Sequence, residues 1–363
     1  MKTKHNKNTN KLHTMKNKIA LASAALIAAS SVSQAEIVIN DFLSFEGFVD
    51  MSYTHTDGKF KNIGRASDNS FAVDQVEITW LFDFDPVTAQ IDLTYLNGDE
   101  TGETTMGYDD FIEQAFVSYH IDDGSTINAG RFYSMLGFEA FKAPGLYQYS
   151  TAYQNAALDF FDVPGFLPDG GQGVQYTYND DTVFFGVSLL DSTYNINQSR
   201  LGGSGTSSYA FEVAGAVMLS DELTFFLGGA YEDADNFLYD DLYTLNTYVT
   251  YETGAWVFAG ELNYFRADID AGGKDKGWSG LLMANFAYSE EASVTGRYSY
   301  QRYDFDSAGL GNAKPGFHKW TLAHTYAFTD NLALITEYSH VRGNSDADKY
   351  REHLFAAELL FTF

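Results

Sequence analysis

From residue 42 to the C-terminus the chain alternates apolar and polar residues with a period of two, and the gaps between alternating segments are short and long in strict turn. In Val76-Glu77-Ile78-Thr79-Trp80-Leu81-Phe82-Asp83-Phe84 one face carries Val, Ile, Trp, Phe and Phe, and the other Glu, Thr, Leu and Asp. A period of two is that of a β-strand with differently solvated faces. Sixteen such segments occur: 42–55, 71–84, 87–97, 110–120, 126–132, 173–179, 183–190, 209–219, 223–232, 242–253, 256–267, 278–288, 293–303, 317–328, 332–342 and 352–363. The short gaps, such as Asp85-Pro86, Ser220-Asp221-Glu222 and Thr329-Asp330-Asn331, have hairpin-turn composition. The long ones include Thr56–Ser70, Gly98–Asp109, Tyr133–Gln172, Asp191–Ser208 and Asp304–Gly316. A soluble sandwich has no reason to alternate its connections in this way. A transmembrane antiparallel β-barrel does, with tight turns on the periplasmic rim and loops on the outer one. The pattern predicts an all-β barrel of about sixteen strands with both termini periplasmic; counts of fourteen and eighteen stay open. No proline interrupts any segment, as a closed ladder requires. Past residue 35 no apolar run is long enough for a spanning helix.

If the aromatic and aliphatic face meets lipid, the other parity lines the lumen. That places Asp50, Glu77, Asp92, Glu212, Glu261, Glu337 and Glu358 inside, with Arg297 and Lys319 as the clearest cations. Seven acids against two bases predict a negative lumen and a preference for cations, unless hydrated acidic loops set the field instead. Parity is ambiguous in 126–132 and 278–288, so Arg131 and Asn285 are not assigned. The last segment ends Leu359-Leu360-Phe361-Thr362-Phe363, with Phe361 and Phe363 on the outward parity. It has the form of the terminal-aromatic strand read by the barrel-assembly machinery.

Residues 1–35 have the form of a secretory signal peptide: Lys2, Lys4, Lys7, Lys11, Lys16 and Lys18 without an acid, then an apolar stretch Ile19–Ala29, then Ser33 and Ala35 at the expected cut. Met15 is an equally ordinary start. The apolar stretch is too short to span a bilayer, which needs about 20 residues. The expected mature chain is a single barrel over 36–363, in the outer membrane of a Gram-negative bacterium. Removing those six of the 22 basic residues leaves 16 against 49 acidic ones, a net of −33. Such a net charge argues against nucleic acid and against docking onto anionic lipid heads. Cysteine is absent, so disulfides and thiolate chemistry are excluded.

The longest connection, Tyr133–Gln172, holds Pro144, Pro164 and Pro168 and the apolar-acidic stretch Ala156–Asp162. Its aromatic content suits a segment folded into the barrel as a constriction, or a packed external cap, better than a solvated loop. Around it the chain resembles a known family. Glu113-Gln114-Ala115-Phe116-Val117-Ser118-Tyr119, then Gly130-Arg131-Phe132, then Gly137-Phe138-Glu139 and Ala143-Pro144 through Tyr149-Ser150 are similar to the signature of the OmpL-like β-barrel porins, where QAYVSY precedes GKF, GYE and APxxxxYS. The resemblance covers 113–150 well. It departs after Ser150, where Thr151 replaces a common Arg and Val163–Gly173 replaces a PF-THTG stretch. It implies an outer-membrane channel and no particular substrate.

No catalytic, cofactor or metal residues are assigned. The six histidines of the mature chain, His55, His120, His318, His324, His340 and His353, show no triad spacing and read as interfacial or rim residues. Asp268–Asp275 and Asn344–Asp348 faintly resemble calcium loops, but the first has Ser279 where a terminal Glu belongs, and solvated acidic loops are the simpler reading. The expected function is passive passage of small hydrophilic solutes and ions. The expected partners are outer-membrane lipid, lipopolysaccharide, the assembly machinery and small solutes, in a monomer or trimer. A structural or adhesive barrel using its acidic loops, and more remotely a rim-located hydrolase, are the alternatives.

Overall fold

The computed structural model describes residues 36–62, 64–96, 111–153, 165–194, 209–234, 239–270, 272–306, 313–345 and 348–363. The strands are β1 (Ile37–Asn40), β2 (Leu43–Phe60), β3 (Gly64–Asp83), β4 (Val87–Leu96), β5 (Ile112–His120), β6 (Ser125–Tyr133), β7 (Gly170–Asn179), β8 (Val183–Leu190) and β9 (Tyr209–Ser220). They continue as β10 (Leu223–Asp233), β11 (Tyr239–Thr253), β12 (Trp256–Ile269), β13 (Lys274–Ala287), β14 (Ala292–Asp304), β15 (Gly316–Thr329), β16 (Leu332–Ser345) and β17 (Asp348–Thr362). The one helical element among the described residues is a 3₁₀ turn, Ala143–Gly145.

From β2 to β17 each strand pairs antiparallel with the next, and β17 returns to β2 in register from Tyr350↔Phe60 to Thr362↔Phe48. Sixteen strands therefore close into a barrel. Phe363 completes the seam through paired backbone bonds with Gly47, 2.7 and 2.9 Å. Short β1, which the periodicity does not show, pairs with the stretch of β2 left uncovered beyond Phe363, Ile37↔Phe45 to Asn40↔Leu43.

The barrel is inverted relative to a soluble protein. Along β13, Trp278 and Leu282 are 58% and 66% exposed while Ser279 and Asn285 are buried. Along β8, Val183, Phe185, Val187 and Leu189 face out, with Ser188 inside. Apolar surface in water costs about 25 cal/mol per Å², so an outer skin of this kind is stable only against lipid. The tight turns are held by their own side chains: Asp122 Oδ1 accepts from the N–H groups of Gly124 and Ser125, and Asp180 Oδ1 from those of Thr182 and Val183.

Several strands run further toward the long-loop rim than expected, β13 from Lys274 and β17 from Asp348 among them. Thr56–Ser70 is not a loop: β2 and β3 continue as a paired hairpin to Phe60↔Gly64. Both of its faces are polar there, so alternation of hydrophobicity is silent although the backbone period persists. Likewise β7 begins at Gly170 rather than 173, within a run of glycines that carries no side-chain signal. A Cβ on Gly171 would lie 1.9 Å from the carbonyl oxygen of Ser192, so the close approach of the neighbouring chain requires glycine.

Candidate functional site

The site is the barrel interior and the segment that enters it after β6. Residues 134–153 fold inside the wall, and an apolar patch on the inner face receives them. Leu136, Phe138 and Ala152 pack with Phe226, Tyr248, Leu281 and Met283. Phe166 lies 4.7 Å from Tyr303, ring centre to ring centre.

Irregular backbone buried in this way must still find partners for its N–H and C=O groups. The wall supplies them, with acceptors and donors on different strands. Acceptors on one set of strands take the N–H groups: Glu212 those of Met135 (2.7 Å) and the Ser134 hydroxyl (2.5 Å), Asn246 that of Gly137 (3.1 Å), Glu261 that of Phe138 (2.8 Å) and Glu337 that of Ser150 (2.9 Å). Tyr153 donates its hydroxyl to the second oxygen of Glu261 at 2.7 Å. Donors on β14 and β15 take the carbonyls: Thr295 that of Tyr147 (3.0 Å), Arg297 that of Ser150 (2.7 Å), Ser299 that of Ala152 (2.6 Å), Gln301 that of Tyr153 (3.0 Å) and Lys319 that of Thr151 (2.8 Å). Within the segment Glu139 accepts from the Ala152 N–H at 2.6 Å and pairs with Arg297.

Lys142 reaches across to β3 and β4, bonding Asp92 at 2.7 Å and also Glu77. Burial disfavours its charge, but Asp92 and Glu77 outweigh burial and raise its pKa above that of an ordinary lysine. Nearby, three carboxyls converge from adjacent strands. Asp50 on β2, Asp74 on β3 and Glu358 on β17 lie beside one another. Buried oxygens of Asp50 and Asp74 have no hydrogen-bond partner among the described residues.

All nine residues assigned inward by parity are buried: Asp50, Glu77, Asp92, Glu212, Glu261, Arg297, Lys319, Glu337 and Glu358. The structure divides them. Glu212, Glu261, Arg297, Lys319 and Glu337 hold the inward segment, Glu77 and Asp92 are bridged by Lys142, and Asp50 and Glu358 form the acidic group with Asp74. Arg131 and Asn285, on strands whose sequence parity is ambiguous, are also buried: Arg131 donates to the Ile112 carbonyl at 2.7 Å and Asn285 to Thr295 at 2.8 Å. Sequence reasoning missed Asp74, Glu139, Lys142 and Asn246. Asp74 is the extra residue of a bulge opposite Asp50/Met51, so it and Gln75 break the alternation. Glu139 and Lys142 lie where no strand period applies. The only signal they offered was charge inside an otherwise apolar, glycine- and proline-marked stretch.

Phe361 is outward and exposed, and Phe363 packs edge-on to Phe45 at 6.3 Å. Among the described residues no group of three or more His, Asp or Glu side chains is placed to hold a metal. In the first calcium-like stretch Asp268 is already taken by Arg266, at 2.5 Å. The expected signal peptide, Ala156–Asp162 and Asp346 lie outside the described residues.

The family model described as "Putative beta-barrel porin-2, OmpL-like" matches residues 43–363. Among solved structures, the outer-membrane-expressed OmpT of Vibrio cholerae superposes with a TM-score of 0.62 at 12% identity, covering 90% of this chain and 100% of that one. The anion-selective porin from Comamonas acidovorans gives 0.61 at 15% identity, covering 88% and 99%. At such identities the likeness is one of fold. No curated protein is similar enough in sequence to count as a relative. A match running from the first strand of the closed ring to the last residue places this chain in the OmpL-like beta-barrel porin-2 family, as an outer-membrane barrel of the porin kind.

Proposed function

We propose that the barrel is a passive channel for small hydrophilic solutes and ions, that it prefers cations, and that it acts without a catalytic residue. The observation that carries this reading is the interior. A sixteen-strand wall is wide enough for an aqueous bore, and its inner face, lined mostly by polar and charged side chains, holds a segment bound by wall side chains that narrows rather than fills a uniform apolar core. The segment 133–172 acts as the constriction. The long-loop rim faces outward and both termini face the periplasm, the export being directed by residues 1–35 and the assembly by Phe361 and Phe363. Cation preference follows from the excess of inward acids over Arg131, Lys142, Arg297 and Lys319, in a low-dielectric wall that focuses their field.

The test is planar-bilayer recording of detergent-purified protein. Stepwise conductance with a reversal potential of cation-selective sign under a salt gradient is expected. A barrel that inserts without conducting refutes the channel, and an anion-selective reversal potential refutes the preference.

A further inference from the structure

We propose that the outer face of β16, β17, β2 and β3, at the long-loop rim, is a binding site for the phosphorylated headgroup of a membrane glycolipid, the lipid A phosphates of lipopolysaccharide. This rests on the orientation proposed above.

The mature chain carries 16 basic residues against 49 acidic ones. Six of the 16, Lys59, Lys61, Arg65, Arg342, Lys349 and Arg351, are exposed at one end of these four neighbouring strands. Four of them stand in direct register: Arg342↔Arg351, Arg351↔Lys59 and Lys59↔Arg65. With strands about 4.8 Å apart, the row is roughly 14 Å long. Like charges directly opposite one another on a sheet repel. An acidic protein that spends its few cations in this way has a surface shaped for an anion.

The rest of the rim shows the contrast. Arg266 and Lys274 share Asp268, and Lys276 and Lys314 share Asp304. In the basic row Arg65 bonds Asp57 at 2.5 Å. Among the described residues no carboxylate is ion-paired with Lys59, Arg342 or Arg351, so the row keeps a net positive charge. Arg342 is also held in place: its Nε donates to His340 Nε2 at 2.9 Å, while Nδ1 of that ring faces the Glu352 carbonyl at 2.9 Å, and the His340 ring stacks on His353 at 4.4 Å.

Moving along the strands toward mid-barrel, the same face changes from basic to imidazole to apolar: Arg342, His340, Tyr338 on β16, and Arg351, His353, Phe355 on β17. Tyr338, Phe355 and Phe71 are exposed, at 49%, 44% and 84%. This gradient matches an amphiphile with anionic groups at the rim and acyl chains below. A free phosphate would use only the basic row, and a second copy of this acidic chain would need acids opposite it.

The test measures binding of lipopolysaccharide to the refolded full barrel in detergent, with intact or enzymatically dephosphorylated lipid A. Two triple variants carry the same charge change: Lys59→Gln/Arg342→Gln/Arg351→Gln in the row, and Lys274→Gln/Lys276→Gln/Lys314→Gln elsewhere on the rim. Heat-modifiable mobility and unchanged conductance confirm that both fold. The row variant should bind about tenfold or more weakly and the rim variant near wild type, with a similar loss on dephosphorylation. Equal binding by both variants, equal binding of both glycolipids, full displacement by inorganic phosphate, or an altered oligomeric state with glycolipid binding unchanged would overturn the assignment. A chain that stays in the aqueous phase removes the membrane reading itself; a barrel that conducts but fails these comparisons removes only the glycolipid site.

Discussion

Glu261 shows how a single inward carboxylate is used. One oxygen takes the Phe138 N–H and the Asn246 amide, the other the Tyr153 hydroxyl, so one side chain pins both ends of the described segment to β12. Truncation leaves the buried Phe138 N–H without its acceptor, which costs about 1–3 kcal/mol. Glu261→Ala should therefore lower the guanidinium midpoint of the detergent-folded barrel and raise open-channel noise. Glu261→Gln keeps an acceptor and should recover most of both; an Ala variant indistinguishable from wild type in both readouts would show that the segment is held elsewhere. Lys142 makes the complementary case. Lys142→Met leaves Glu77 and Asp92 without their shared cation and should move the reversal potential further toward cation selectivity; no movement, or movement toward anions, would show that this bridge lies off the conducting path. The inward parity of Glu261, Glu77 and Asp92 was legible in the sequence because each lies within an unbroken alternation. Lys142 and Glu139 were not, because in a segment without a period the direction of a side chain is decided by tertiary contacts alone.

At the scale of elements, the wall and the inward segment are built on different principles. The wall's backbone bonds run strand to strand and β17 closes on β2, so its ladder is complete without the segment. The segment, in contrast, takes most of its polar partners from the wall. Replacing residues 136–168 by a short glycine-serine linker should leave heat-modifiable folding intact while conductance rises severalfold; a barrel that no longer closes would make the segment part of the fold. The C-terminal seam carries a separate expectation. Deleting Phe363 removes the paired bonds to Gly47 and the contact with Phe45, so insertion in cells should drop while refolding of purified chain into detergent persists. All sixteen wall strands were legible, most within three residues at each end, because hydrophobic alternation and backbone period coincide wherever lipid lies on one side. The β2–β3 extension and β1 were not, because beyond the lipid both faces are polar or both exposed, and the period loses its chemical contrast.

For the whole molecule, the question is which of its many acids set the field along the bore. The exposed acids at the turns and loops are hydrated and screened over about 10 Å at 0.1 M salt. Asp50, Asp74 and Glu358 are different: they face inward from three adjacent strands, no ion-pairing cation reaches them among the described residues, and two of their oxygens lack a donor. Charge enclosed by a low-dielectric wall acts on a permeating ion more strongly than the same charge at a wet rim. The triple change Asp50→Asn/Asp74→Asn/Glu358→Gln should therefore cut cation preference sharply, whereas Asp221→Asn/Glu222→Gln at an exposed turn should not. Raising salt to 1 M, where the Debye length is about 3 Å, should erase any rim contribution first and leave the interior one largely in place. If the turn variant shifts the reversal potential as much as the interior one, or if high salt abolishes both alike, selectivity belongs to the solvated rims and the inward acids serve only to hold the fold.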